Sequence, residues 1–315
     1  MPANFAPGQW AVILGGSSGF GLATAQVLAE HGMNLCIVHR DRRSQLAGIE
    51  PEFEKLRGLG VAVQTHNTDA LSAAKRDAVL DSLADALGEG RVRVLLHSIA
   101  FGNLKPLAPP MSRTARDATQ KLASALGLEG ERVQGAMDEW FATGVAAAYP
   151  LASPPDYSQT DFLGEEDFSR TIFNMGTSLL GWVQDLFNRK LFAGDARIFG
   201  LTSEGNEVAW RGYAAVAAAK VALESLARSI AIEYAPYGVR CNVIQPGITE
   251  TPALAAIPGS DQMKAQAKMR NPFRRLTTPV DVANTIYLLS LDEAAWVNGA
   301  VIRVDGGEHI SGVSE

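Results

Sequence analysis

Short, nearly unbroken apolar runs alternate along the chain with longer stretches in which apolar residues recur every three or four positions. The runs are WAVIL (10–14), NLCIV (34–38), VAVQT (61–65), VRVLLH (92–97), RIFGLT (197–202), VRCNVI (239–244) and AVIRV (300–304). A strand with one wet face alternates apolar and polar positions, and these do not. Both faces must be covered, as in a parallel sheet flanked by helices. Helical patterns fall between the runs, at 19–31, 72–87, 166–192, 213–234 and 280–290. The alternation predicts α/β architecture: a doubly wound, seven-stranded parallel sheet with right-handed crossovers.

One stretch breaks the rhythm. About 65 residues separate the fourth run from the helix near 166, too many for an ordinary connection. They hold two helical patterns, 112–127 and 130–148, and then the Pro-rich YPLASPPDYSQTDFLG. The reading is an inserted helical subdomain at about 105–165 within one domain spanning 1–315. Its apolar positions Leu122, Leu126, Met137, Trp140 and Phe141 suit a lid over a substrate path or an added core.

Composition narrows the class. Of 315 residues, 47% are hydrophobic and 20% charged, as in ordinary globular domains. The net charge of −6 argues against a general nucleic-acid binder. The first residues, MPANFAPGQW, lack the basic and apolar regions of a signal peptide, and no apolar run is long enough to span a bilayer. A cytoplasmic protein with no membrane partner is expected. Cys36 and Cys241 sit in apolar runs and read as buried thiols. The five histidines show no ligand spacing and no CxxC occurs, so no metal is expected.

The first run leads into AVILGGSSGFGLATAQVLAEHG, a strand, a glycine-rich turn and an amphipathic helix. Gly15, Gly19 and Gly21, with Ser17, Ser18 and Phe20 between them, leave room for a pyrophosphate at the helix N-terminus. The second run ends in VHRDRR. Where an acid commonly holds the ribose hydroxyls of NAD, His39 and Arg40 stand, and a guanidinium can pair with a 2′-phosphate. NADPH is therefore expected ahead of NADH. A solvated charge run over Asp41–Arg43 is the plainer alternative.

The G-x3-G-x-G spacing resembles the short-chain dehydrogenase/reductase family, whose fold is Rossmann-type, and the likeness extends over nearly the whole chain outside 105–165. It implies that Asn67 and Thr68, in THNTDAL, border the adenine. It implies that Ser98, Ile99 and Ala100 line the ribose and nicotinamide, with His97 a core histidine. Pro246, Gly247, Ile248 and Thr251, in NVIQPGITETPA, would close over the nicotinamide. HSIAF and LTSEGNEVAWRGYAAVAAAK resemble a divergent branch, the enoyl-acyl-carrier-protein reductases, whose mark is Tyr-x6-Lys. Tyr213 and Lys220 have that spacing, with Val216 in the place four before the lysine. At about 100° per residue, seven residues bring a helical side chain back to within roughly 20° of its start.

That branch implies NADPH-dependent reduction of a trans-2-enoyl thioester, carried by acyl carrier protein or coenzyme A, in a homotetramer. Tyr213 would hold the enolate oxygen, and Lys220 would hold the ribose and make the tyrosine more acidic. Two residues match the carbonyl-reducing majority instead. Ser203 stands at its catalytic serine and Asn174 at its helix-kinking asparagine. A carbonyl reductase of 3-ketoacyl or hydroxysteroid type is thus the second expectation, and a nucleotide-sensing protein without catalysis the third. The five cations of DQMKAQAKMRNPFRR (261–275) form a docking patch for an acidic carrier or a solvated helix face.

Overall fold

Seven strands make one sheet: β1 (Gln9–Leu14), β2 (Asn34–His39), β3 (Val63–Asn67), β4 (Arg91–His97), β5 (Phe192–Leu201), β6 (Arg240–Pro246) and β7 (Val301–Val304). The computed structural model describes residues 5–109, 114–155 and 161–312. The order across the sheet is β3-β2-β1-β4-β5-β6-β7, with every neighbouring pair parallel. The chain winds outward from β1 in one direction and from β4 in the other. Their C-terminal ends, with Leu14 beside His97, flank the crevice where such sheets bind ligands.

Helices cover both faces: α1 (Gly19–Glu30), α2 (Arg43–Arg57), α3 (Ala73–Leu87), α4 (Thr114–Leu126), α5 (Gly130–Ala142), α6 (Glu165–Ile172), α7 (Leu179–Asn188), α8 (Ala214–Glu233), α9 (Pro252–Ala255), α10 (Ser260–Arg270) and α11 (Pro279–Ser290). The unbroken apolar runs now have a cause. Trp10, Val12 and Leu14 pack with Leu80 and Leu83 of α3, Trp182 of α7 and Leu223 of α8. The alternate residues Ala11 and Ile13 pack on the other face with Leu28 of α1, Phe53 of α2 and Ile286 of α11. Each such large apolar side chain contributes roughly 1.5–3 kcal/mol of burial.

Three expectations shift, and one helix, α2, was not expected at all. β3 starts two residues late, because it is an edge strand with half-buried side chains. α2 has no strong apolar pattern, buries only Phe53 and Leu56, and contains Pro51. The single helix expected over 166–192 is three pieces: a π-helical turn, Phe173–Thr177, separates α6 from α7, and Ser178 N–H donates five residues back to Phe173. Tyr213 caps α8 from outside the helix, which begins at Ala214.

The insert is helical, with α4 and α5 packed together. Ala123 of α4 and Val133 of α5 are buried, while Leu126 and Trp140 of the expected apolar stripe face solvent. The short turn Ala146–Ala148 leans on α10. Gln262 of α10 donates to the Ser153 carbonyl (3.3 Å).

Candidate active site

A cleft of about 610 Å³ opens at the C-terminal ends of β1 and β4. The glycine-rich turn forms its floor. Gly15 has φ +85°, and a Cβ there would lie 2.5 Å from the Ser98 carbonyl oxygen. Only glycine lets the end of β1 press on the end of β4. Ser18 then caps α1 in an extended conformation, with no side-chain bond closing the helix end. This cradle fits a dinucleotide pyrophosphate.

Most expected cofactor residues share this cleft: Gly15, Ser17, Ser18, Gly19, Phe20, His39, Arg40, Ser98, Ile99, Ala100, Lys220, Pro246, Gly247, Ile248 and Thr251. Gly21 lies behind the turn, where a Cβ would strike the Gly15 carbonyl oxygen at 2.1 Å. Asn67 bonds with both polar atoms to the Asp41 backbone (3.0 Å each), and the wall beyond β3 comes from Asp69, Ala70 and Leu71, not from Asn67 or Thr68. His39 is buried, its Nδ1 2.7 Å from Asp41 Oδ2. The Arg40 side chain is half-exposed, with its guanidinium 4.2 Å from the Phe101 ring centre and 3.8 Å from Asp69.

At the other end Ser203 Oγ lies 3.2 Å from Tyr213 Oη. Gly205 makes room for that ring: a Cβ there would meet Tyr213 Cε1 at 2.4 Å. Glu224 of α8 holds the loop carrying Ser203 by accepting from Thr202 Oγ1 and from Asn206 Nδ2 (2.6 Å for the latter). Val216 is buried with Met175 and Ala219, so an apolar side chain fills the place four before the lysine.

Burial is the largest influence on each buried ionisable group here. It pushes the Tyr213 phenol up, and only the Ser203 hydrogen bond opposes it. The expected acidification by Lys220 is not met, because the phenol's desolvation dominates. Lys220 is buried, donates to the Leu201 carbonyl (2.8 Å) and is pushed down to about 8, with Glu224 pulling the other way. His97 is pushed down to about 3 by burial and then by the Lys220 charge, so it is neutral. Ser178 Oγ spends its hydrogen on the Asn174 carbonyl (2.9 Å), so His97 Nε2, 2.9 Å from Ser178 Oγ, is the protonated nitrogen. Asn174 sits in the π-turn and donates to the Phe101 carbonyl (3.1 Å), outside the cleft wall.

Sequence reading missed the apolar end, built by Phe101, Leu104, Met175, Trp210, Leu254, Ile257 and Met263 from separate elements. It also missed Glu204, which lines the cleft beside Ser203. The cations of 261–275 are largely engaged within the fold. Lys264 pairs with Asp261 (2.8 Å), Arg270 with Glu204 (2.6 Å) and Arg275 with Asp281 (2.6 Å). Among the described residues no acidic, cysteine or histidine cluster suits a metal, and no helix is long and apolar enough to cross a membrane.

These features meet in one known family. The family described as short chain dehydrogenase matches residues 9–121, and the one described as enoyl-(acyl carrier protein) reductase matches residues 151–309. The chain belongs to the short-chain dehydrogenase/reductase family and is a NAD(P)(H)-dependent oxidoreductase of that fold. It is 28% identical to cis-4-hydroxycyclohexanecarboxylate dehydrogenase of Sinomonas cyclohexanicum, over 74% of this chain and 96% of that protein. It is 25% identical to 2,5-dichloro-2,5-cyclohexadiene-1,4-diol dehydrogenase LinX of Sphingobium indicum, over 97% and 98%. FabI from Candidatus Liberibacter asiaticus superimposes with a TM-score of 0.72 over all of both chains, at 18% identity, a likeness of fold. Residues 122–150, about half of the insert, lie outside both family matches.

Proposed function

We propose that this chain uses NADPH to reduce an apolar carbonyl compound, with Ser203 and Tyr213 gripping the oxygen that takes up negative charge. The observation that carries the reading is the hydroxyl pair, 3.2 Å apart, in a cleft that also holds Lys220, the glycine turn and an apolar end. When bound, the reduced nicotinamide supplies a hydride, to the carbonyl carbon of a ketone or to the β-carbon of an enoyl thioester. Tyr213, kept neutral by burial, donates to the substrate oxygen. Ser203 shares that oxygen or orients the phenol, so charge appearing in the transition state meets donors already in place. Lys220 holds the nicotinamide ribose. Arg40, half-exposed at the mouth, supports the choice of NADPH over NADH.

The ketone reading has the wider support. Ser203 and Asn174 are both present, and the named relatives are alcohol dehydrogenases. In it Tyr213 gives its proton to the alkoxide and is recharged from solvent. The enoyl-thioester reading, on acyl carrier protein or coenzyme A, is supported by the placing of Tyr213 seven residues before Lys220, with Val216 filling the nearer site. In that case Tyr213 only holds the enolate oxygen, and solvent protonates the α-carbon. The two separate in one assay of NADPH oxidation with 4-oxocyclohexanecarboxylate, acetoacetyl thioester and crotonyl thioester. Ketone turnover that falls about 10²–10³-fold in both Ser203→Ala and Tyr213→Phe supports the first reading. Crotonyl turnover alone supports the second, and no turnover of any of the three sinks the proposal. A homotetramer is part of the proposal, supported by Leu180, Val221 and Ile232 exposed on α7 and α8.

A further inference from the structure

Arg270, the last residue of α10, reaches two carboxylates from different parts of the chain. Its Nη2 donates to Glu204 Oε2 (2.6 Å) and to Glu308 Oε1 (3.2 Å). Glu204 and Glu308 are both buried, 7% and 1% exposed. Two carboxylates therefore share one guanidinium out of water, an arrangement that is seldom kept without a reason. The neighbouring His309 adds only a longer contact, with Nδ1 3.7 Å from Glu204 Oε2, while its Nε2 faces Glu207 at 3.0 Å. Glu204 Oε1 is buried with no hydrogen-bond partner.

What each partner touches gives the cluster its meaning. Glu204 follows Ser203 directly and opens the turn Glu204–Asn206, whose Gly205 abuts the Tyr213 ring. Glu308 uses its other oxygen, Oε2, to accept from the Ile248 backbone N–H (3.3 Å), in the loop at the nicotinamide end of the cleft. Gly247 permits that approach, since a Cβ there would lie 2.8 Å from Glu308 Oε2. α10 itself contributes Met263 to the apolar end. One guanidinium thus ties together the oxygen-gripping pair, the cofactor loop and the wall facing the substrate.

We propose that Arg270 is a positioning residue, which through Glu204 and Glu308 fixes the Ser203–Tyr213 pair and the Ile248 backbone relative to each other and to α10. It touches neither substrate nor cofactor. The inference rests on the proposed function in taking Ser203 and Tyr213 as the groups that hold the substrate oxygen and Ile248 as part of the cofactor loop.

Three variants separate positioning from simple charge balance. Arg270→Met strands two buried carboxylates and is expected to fold poorly. Arg270→Met combined with Glu204→Gln and Glu308→Gln removes those charges too, and is expected to recover the wild-type thermal midpoint. Arg270→Lys keeps the cation without the planar fork. If the cluster positions the site, the triple variant loses about ten- to a hundredfold in kcat with KM little changed, and Arg270→Lys falls between it and wild type. Hydrogen exchange in the NADPH complex gives a readout that needs no substrate. In the triple variant, amides of 203–213 and 247–249 speed up about tenfold together with those of 260–270, while 9–30 hold their rate. Wild-type kcat in the triple variant, or faster exchange confined to 260–270, overturns the proposal. Failure of every carbonyl substrate would sink the proposed reaction and leave the exchange result to decide on Arg270.

Discussion

Adding one methyl group at Gly205 tests whether the Tyr213 ring must lie where it does. The Gly205 backbone does not have the positive φ that would strain another residue, so Gly205→Ala acts by volume alone. The new Cβ would meet Tyr213 Cε1 at 2.4 Å and Cδ1 at 2.7 Å, about 1 Å short of ordinary contact. The ring must move by that amount. Its bond to Ser203 is already 3.2 Å long, so the move carries it beyond hydrogen-bond range. Losing an aligned donor to a developing oxyanion costs about 10²–10³ in kcat. The cost to stability is that of overpacking, ~1–3 kcal/mol, and it falls toward the low end because the ring can swing into the cleft. Steady-state NADPH oxidation and a thermal melt measure the two effects, and NADPH affinity should not change. A double-mutant cycle then tests the cause. If Gly205 acts through the phenol, Gly205→Ala costs nothing further once Tyr213→Phe is in place. Wild-type kcat in Gly205→Ala, or losses that multiply in the double variant, would refute the reasoning.

Burying the Lys220 ammonium costs stability. Its folded value of about 8 lies below the ordinary 10.5, so the unfolded chain binds this proton more tightly. Its contribution to stability therefore rises with pH between about 8 and 10.5 and is flat below 8. Below pH 8 the buried cation is penalised by ~3 kcal/mol. Lys220→Met should abolish turnover at pH 7 without lowering the thermal midpoint, and a large fall in midpoint would contradict this. In the wild type, turnover that needs the ammonium declines as pH rises through about 8, whereas a flat profile from 7 to 10 would remove the cation from the reaction. Arg40→Ala should weaken NADPH at least tenfold and leave NADH unchanged, because the charge-assisted bond it would remove is one only a 2′-phosphate can receive. Equal weakening of both cofactors in a titration would assign Arg40 a structural part, through Phe101 and Asp69.

The fold was legible where burial is uniform. Strands covered on both faces, such as Trp10 to Leu14, write an unbroken apolar run. β3 and α2 were less legible because each presents much of its surface to water, so its residues follow no strict pattern. The π-turn at Phe173–Thr177 was not read from apolar spacing, and only the resemblance, which puts a helix-kinking asparagine at Asn174, pointed to a break there. Much of the cofactor end was legible because glycines and short strand-end motifs are local in sequence. The clamp of Glu204, Arg270 and Glu308 was not, because its members lie far apart in the chain and each alone reads as a surface charge.

Tyr213 and Lys220 line one cleft, but not for the reason their spacing suggests. Helical phase brings residues seven apart to one face, but that holds only if both are helical. Tyr213 is not: it caps α8, its N–H donating to Trp210 across the turn that precedes the helix. Its direction is set by that turn, by the space Gly205 leaves and by the Ser203 hydroxyl. Val216, in the helix proper and four before the lysine, does obey helical phase and is buried with Met175 and Ala219 at the cleft wall. The spacing therefore matters less as an angle than as a displacement. On the proposed reaction the phenol would reach the substrate oxygen from the loop that carries Ser203, a loop held by Glu224 and by Arg270 through Glu204, and loosening that loop should slow turnover.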